Sequence, residues 1–549
     1  VSRPHDTSPL LGGVEPHAVA GPRDSFPGAP DFPTLSPVTG PRVVFVQPHQ
    51  EINIHPVPRK RTKVLGRYLS LGIATLAAYL REHDVPDVHV IDSASPLLTY
   101  QQFEDQIRRL GPDVVGITAT TIDWPECVAL ARIVKAVDPD ILVVVGGFQM
   151  NCYPRECLEF PCIDVGVVGD GEETLLELVE ARAAGRSLAG IAGTWQKDER
   201  GVPVAAPPRA AVADLDSLPR PARELFPEHL YRAITIRRPF ATMTTVRGCP
   251  YSCKYCGQVG EQTPFRMRSA EAVADEMIWL KSRGYREIIF FDETFTVHRA
   301  RTRDLCERLI AAGTPIPWTC RTRVDLVDKE LLTLMRRAGC SRLQMGIESG
   351  SEAVLKRMDR RVDLVEVEQA FAQAAALGFE TRGYFMLGYL DETQAETDET
   401  IALACRMPLD WASFSRTLGL PGTPLYDEMI SRGIVDGDFW KRYTQLQFGD
   451  GIPYCKDEAW LQAAQRRAYR KFFSRPSVLA GKLRDMTSPH RVGEYLHGAR
   501  LFLSIQTEAN RSVPSELWRR TTSQEEVALD EIKDRPASPS RGGFEAFMG

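Results

Sequence analysis

The sequence predicts an α/β protein in which a doubly wound parallel sheet precedes a partial (β/α)6 barrel and a helical C-terminal region. Two series of strand-length apolar runs alternating with amphipathic helical segments predict it, with the Pro-rich stretch "PVAAPPRAAVADLDSLPRPARELFP" dividing them. Parallel strands joined by crossover helices read this way. At 549 residues the chain exceeds one core. Expected boundaries are an extended or disordered segment at 1–40, a first domain at 41–195, a linker at 196–240, the barrel at 241–450, and a helical region with a flexible tail at 451–549.

In the first series, "RVVFVQ", "VHVIDS", "DVVGITA", "DILVVVGG" and "IDVGVVGDG" read as strands. The helices between them are "LGIATLAAYLREH", "FEDQIRRLG" stopping at Gly111, "CVALARIVKAV" and, last, "EETLLELVEARAAG". Ligands of such sheets bind beyond the carboxyl ends of the strands. The candidate loops are therefore Gln47–His55, Ala119–Asp123, Gly146–Asn151 and Gly169–Thr174. In the second series the strands are "FATMTTVRG", "EIIFFDE", "PWTCRTRVD", "RLQMGIES", "TRGYFMLGY" and "WASFSRTLG", again with chemistry expected at their ends.

A formal charge of −5, from 67 basic and 72 acidic residues, argues against a dedicated nucleic-acid binder. The longest apolar runs are of strand length, so no membrane span is expected. "VSRPHDTSPLLGG" lacks signal-peptide architecture, and the twelve cysteines are dispersed, so reduced thiols and a cytoplasmic setting are expected. Cys152, Cys157 and Cys162 recur every five residues, match no cluster spacing and are expected to be buried structural thiols. In the C-terminal region Tyr454, Trp460, Tyr469, Phe472 and Phe473 are read chiefly as core, with a cap over the barrel mouth as the alternative.

The stretch "TTVRGCPYSCKYCGQ" places Cys249, Cys253 and Cys256 in C-x-x-x-C-x-x-C directly after a predicted strand. A closed zinc site wants a fourth nearby ligand, and the next histidine is His298. Three thiolates instead leave one iron of a 4Fe–4S cluster open to a small molecule. This spacing, with Tyr255 before the third cysteine, resembles the radical S-adenosylmethionine superfamily. The resemblance implies S-adenosylmethionine contacts at Asp292 and Glu293 in "FFDETF", at Glu348 in "GIESGSE", and at Gly388 opening "GYLDET", where Leu390 stands in place of a glycine.

A flavodoxin-like (Rossmann-type) domain ahead of such a barrel resembles the cobalamin-binding subfamily, over roughly residues 40–450. "YLSLGIATLAAYL", "DVVGITATT", "VVGGFQ" and "VGDGEET" carry this resemblance. It implies cobalamin (methylcobalamin) held by Gln47, Thr118, Thr120, Gly146, Gly147, Phe148, Gln149, Gly169, Gly171 and Glu172. The D-x-H-x-x-G motif of cobalt-ligating domains is incomplete: "DVHVID" lacks the glycine and begins a strand, so no protein histidine is expected as lower ligand. Arg67 and Tyr68 are the candidate catalytic residues beneath the corrin, with a solvated loop cation or phosphate contact as the alternative for Arg67.

The subfamily implies methyl transfer to a small molecule, with an external one-electron reductant. Two routes are open: hydrogen abstraction by a 5′-deoxyadenosyl radical, or polar transfer from methylcobalamin without an open iron. Glu271, at the start of the helix after the cysteines, is a candidate ligand to that iron; its alternative is an ordinary first-turn acid beside the N-cap Ser269. Together with Arg67 it resembles the tryptophan 2-C-methyltransferases of thiopeptide antibiotic biosynthesis, which makes methylation of L-tryptophan at C2 by polar transfer from methylcobalamin the leading reading. Radical methylation, cyclisation or rearrangement of another precursor is the rival enzyme reading. A non-catalytic cobalamin or cluster sensor is the rival of another class.

Overall fold

The computed structural model describes residues 40–48, 68–92, 98–231, 236–257, 263–313, 315–447 and 452–485. All lie in the compact unit Gly40–Gly549. The expectations for the N-terminal segment, for Arg67 and for the C-terminal tail fall outside the described residues.

The first sheet contains β1 (Val43–Gln47), β2 (Val88–Asp92), β3 (Val114–Thr118), β4 (Leu142–Gly146) and β5 (Val165–Val167), all parallel, in the order 2-1-3-4-5. Alternation along β1 explains its two-sided burial. Val43 and Phe45 pack with Ile73, Ala77 and Leu178 on one face, while Val44 and Val46 meet Phe103, Ile107 and Val134 on the other. The helices begin where the sequence supplies caps. Ser70 accepts the Ile73 N–H ahead of helix Leu71–Glu82, and Thr99 and Gln102 form a reciprocal capping box ahead of Tyr100–Leu110. Gly111, at φ 55°, ends the latter helix. Strand order reverses at β1, so β1 and β3 diverge at a switch point where ligands bind.

The sheet continues past residue 195, in a stretch expected to be linker. β6 (Thr194–Lys197) adds antiparallel to β5, and β7 (Pro203–Ala205) antiparallel to β6. A tight reversal at Asp198–Gly201, closed by Asp198 N–H to Val202 O at 2.9 Å, forms this hairpin.

The second sheet is the open barrel: β8 (Phe240–Met243), β11 (Glu287–Phe290), β12 (Trp318–Arg323), β13 (Cys340–Glu348), β14 (Glu380–Leu387) and β15 (Trp411–Arg416), parallel and in that spatial order. Between β8 and the helix Ala270–Ser282, β9 (Val246–Arg247) and β10 (Arg266–Met267) form a short antiparallel ribbon. Ile288, Phe290, Trp318, Leu343, Met345, Phe385 and Phe414 pack under the helices. The alternate residues of β12 to β14, including Thr319, Arg321, Arg342, Gln344, Arg382 and Tyr384, make a polar inner face.

Helix Glu458–Phe473 covers the β15 edge. Gln465 Nε2 donates to Phe414 O at 2.6 Å, and Tyr469 Oη accepts the Phe414 N–H at 3.2 Å. Phe472 is core, with Trp460, Tyr469 and Phe473 packed against it, while Tyr454 is buried below the Arg416 guanidinium. No helix among the described residues is long and apolar enough to cross a membrane.

Candidate active site

The three cysteines sit in the loop that leaves β9. Gly248 starts it at φ +76°, and a Cβ there would lie 2.5 Å from Thr263 O, so only glycine fits the turn. Cys249, Cys253 and Cys256 are half-exposed. Arg323 Nη1 lies 3.9 Å from Cys253 Sγ, and the same guanidinium stacks 4.0 Å over Tyr251 and pairs with Asp325 at 2.9 Å. Thr294 Oγ1 is 4.0 Å from Cys249 Sγ.

Other thiols are of a different kind. Burial pushes Cys162 up to about 11 and Cys306 and Cys455 up to about 12, which keeps them protonated and inert. Cys157 is buried likewise, and Cys152 half-buried. No three ligating side chains among the described residues converge on a single metal ion. A cubane takes one thiolate per iron, so three separated, accessible thiols with a cation beside them fit a 4Fe–4S cluster.

Glu348 ends β13 with φ 73°, a left-handed backbone that is strained for a side-chain-bearing residue. Its carboxyl lies over Gly346, where an added Cβ would stand 2.2 Å from Glu348 Oε1. Burial raises its pKa, while Arg360 and the Tyr255 phenol hold it back. Arg360 is fixed by a 2.8 Å bond to Gly346 O. Glu348 therefore meets Tyr255 of the cysteine loop. Glu293 stands exposed at the β11 end.

Three expected residues are engaged elsewhere. Asp292 is buried, with one oxygen accepting Thr245 N–H at 2.5 Å and Val246 N–H at 3.2 Å and the other accepting the Thr245 hydroxyl. Both oxygens are thus spent on the chain entering the cysteine loop rather than on an open site. Glu271 is 68% exposed in the first turn of its helix and pairs with Arg308 at 3.5 Å, so it is not brought to the cysteines. Gly388, at φ +75°, lies under the C-terminal helix, where an added Cβ would stand 2.2 Å from Leu461 Cδ2.

At the carboxyl ends of the first sheet lies a cavity of about 310 Å3, at the lower end of small-ligand sites. Thr118, Gly146, Gly147, Gly169, Gly171 and Glu172 line it, with Phe45, Leu71, Thr244 and Arg247. Bare backbone makes this cradle possible: a Cβ on Gly147 would meet Ala119 O at 2.8 Å. The cradle fits the nucleotide end of cobalamin, and Phe148 packs against Gly257 beside the third cysteine.

Three other expected cobalamin contacts are bonded within the chain and do not line the cavity. Gln47 bonds Ser70 N–H at 2.9 Å and Tyr68 O at 3.2 Å, Thr120 bonds Asp123, and Gln149 is buried against Thr444 at 2.6 Å. Tyr68, expected beneath the corrin, is not among the residues lining this cavity. Its ring meets Phe240 and Phe291 edge-on, with centroids 5.9 and 5.0 Å away. Burial raises its phenol pKa, opposed by Arg382 and Arg321 of the barrel. His89 lies within β2, 2.7 Å from Asp87.

The sequence reading missed the cations that join the two sheets. Arg247 donates to Asp170 at 2.8 Å and to Glu172 at 2.5 Å, and Arg266 pairs with Asp170 as well. The one available signal was an arginine two residues ahead of the first cysteine.

A nucleotide-sized cradle on a doubly wound sheet, facing a three-cysteine loop at a barrel mouth, defines a two-cofactor enzyme. The chain matches the Radical SAM superfamily over residues 243–404 and the B12 binding domain over 61–179. It is 34% identical over 428 residues to the uncharacterized methyltransferase PH0819 of Pyrococcus horikoshii, covering 76% of this chain and 90% of that relative. Among solved structures it is similar to the radical S-adenosylmethionine methyltransferase TsrM from Kitasatospora setae with cobalamin and a 4Fe–4S cluster bound. The TM-score is 0.58 at 19% identity, over 72% of this chain and 75% of that one. It is also similar to the cobalamin-dependent S-adenosylmethionine radical enzyme OxsB with aqua-cobalamin and S-adenosylmethionine bound. There the TM-score is 0.63 at 18% identity, over 85% and 72% of the two chains.

The chain belongs to the cobalamin-dependent radical S-adenosylmethionine methyltransferases. Its cofactors are S-adenosylmethionine, a 4Fe–4S cluster and cobalamin, and it is membership of a methyltransferase family that sets the sensor reading aside.

Proposed function

We propose that this enzyme methylates a carbon of a small-molecule acceptor by the hydrogen-abstracting route. The observation that carries this is the outward turn of Glu271 to Arg308, which leaves the iron not held by a cysteine free of that carboxylate. When bound, S-adenosylmethionine and the 4Fe–4S cluster would supply the abstracting radical, and cobalamin would supply the methyl group. Cys249, Cys253 and Cys256 hold the cluster. Glu348, steadied by Tyr255 and Arg360, contacts S-adenosylmethionine beside it. The Thr118, Gly146, Gly147 and Gly169 cradle holds the nucleotide end of cobalamin, and the barrel interior receives the acceptor.

Polar methylation of L-tryptophan at C2 is a second reading. It rests on a fold shared, at TM-score 0.58, with TsrM, whose structure is known with tryptophan substrate and a S-adenosylmethionine analogue bound. Anaerobically reconstituted enzyme with methylcobalamin, S-adenosylmethionine, a one-electron reductant and an acceptor panel including L-tryptophan separates the two. Deoxyadenosine formed together with S-adenosylhomocysteine and a methylated acceptor is expected. Methyltryptophan with S-adenosylhomocysteine and no deoxyadenosine would replace the first reading with the second.

A further inference from the structure

The polar inner face of the barrel contains several arginines, and most are committed. Arg342 pairs with Glu287 at 3.4 Å and Glu380 at 2.8 Å, Arg382 with Glu380 at 2.9 Å, and Arg323 with Asp325 at 2.9 Å. Arg321 differs. Its guanidinium makes no hydrogen bond or ion pair among the described residues and rests 5.4 Å over the Phe291 ring. Glu293, near the mouth, feels the Arg321 charge without pairing with it. A half-buried guanidinium with five donors and no acceptor is costly unless something else fills them.

The position of Arg321 says what that something is. On β12 it shares a face with Arg323, one pleat away, about 7 Å along the strand. Arg323 touches Cys253 of the cluster loop. On its other side Phe291 meets Tyr68, which follows directly from the first sheet's switch-point loop. Arg321 pairs in register with Gln344, and Gln344 with Arg382. The free cation therefore lies between the cluster side and the cobalamin side, beside an aromatic wall of Phe240, Phe291 and Tyr68. An acceptor seated on this inner face of the barrel would meet the Arg321 guanidinium.

We infer that Arg321 anchors an oxyanion of the methyl acceptor, so that the substrate class is a carboxylic or similar acid with an apolar or aromatic body. This rests on the barrel being the acceptor site, as proposed above. The shorter-range rival is the carboxylate of S-adenosylmethionine itself. Arg321 lies a full pleat deeper than the cysteine contact at Arg323 and on a different strand from Glu348, which favours the acceptor.

The test uses cluster- and cobalamin-loaded enzyme with S-adenosylmethionine bound. Calorimetry measures two acid–amide probe pairs, indole-3-acetate with indole-3-acetamide and phenylacetate with phenylacetamide. The acids should bind about 10-fold more tightly than their amides. Arg321→Gln should erase that preference, and Arg321→Lys should restore part of it. S-adenosylmethionine affinity, cobalamin content and melting temperature should be unchanged in both, because no protein hydrogen bond is lost.

Equal binding of acid and amide, or no binding of either, overturns the inference. So does a loss of S-adenosylmethionine affinity in Arg321→Gln, which would give the guanidinium to the cofactor. An acid preference that persists while the turnover assay shows no deoxyadenosine removes the radical route and leaves the anion anchor standing.

Discussion

Arg247 and Asp170 lie 2.8 Å apart, one on the ribbon that launches the cysteine loop and the other in the loop after β5. Glu172 takes the second arm of the same guanidinium, and Arg266 the second oxygen of Asp170. Since Arg247 and Glu172 also line the cavity on the first sheet, one charged cluster fixes both cofactor sites to a common frame.

Arg247→Met should therefore cost on the order of 3 kcal/mol, because it leaves the buried Glu172 carboxylate without that partner. Urea unfolding measures the loss. Adding Glu172→Gln should recover part of it, whereas additive losses would show that the two side chains act independently. Cobalamin retained after gel filtration should fall in the single variant.

Acid should weaken the same join. Burial raises the Asp170 carboxyl, but Arg266, Arg247 and the Val212 N–H together outweigh it, so its folded pKa lies below the ordinary value. A group shifted this way contributes stability that is complete above the unfolded value near 3.9 and is lost as pH falls through the lower folded value. Asp170→Asn should be less stable than the parent at pH 7, and the gap should close toward pH 3. A gap independent of pH would contradict this.

Asp292→Asn should lower iron and sulfide per chain although the residue faces no cofactor. It replaces a carboxylate that accepts three bonds from Thr245 and Val246, at a cost of about 1–3 kcal/mol. Unchanged iron content would show that the loop entry is held by other means.

Gly346→Ala should act on Glu348 alone. The new methyl meets the far end of a flexible carboxylate, not backbone, so the melting temperature should hold while S-adenosylmethionine affinity falls about 10-fold. Equal loss of both would mark Glu348 as structural.

Cys249→Ser, Cys253→Ser and Cys256→Ser should each abolish the absorbance of the reconstituted cluster, while Cys162→Ser and Cys306→Ser should leave it intact. The contrast follows from exposure: the first three are half-open, and the last two are buried protonated thiols.

Strand and helix positions were legible because one residue's type already predicts its face. Val43 through Val46 alternate between two cores, and Ser70 and Thr99 cap where they stand. The cysteine triplet was legible because its spacing is local. Strand-end carboxylates were not. Asp292 and Glu293 are neighbours in sequence, yet one is consumed by Thr245, 47 residues earlier, and the other stays open. Glu271 misled for a similar reason: nothing in "RMRSAEAVADE" tells whether a first-turn acid faces the loop before it or the next helix, where Arg308 waits. The β6–β7 hairpin was hidden because β6 straddles the expected domain boundary at 195 and β7 opens the proline-rich stretch whose composition reads as linker.

The barrel is open, and its last strand is finished by side chains of a helix that begins 42 residues after β15 ends. Until Gln465 and Tyr469 leave the ribosome, Phe414 offers its amide and carbonyl to any passing strand. Nascent chains arrested before residue 469 would therefore be sticky intermediates, which makes late synthesis of this enzyme the stage at which a chaperone matters most.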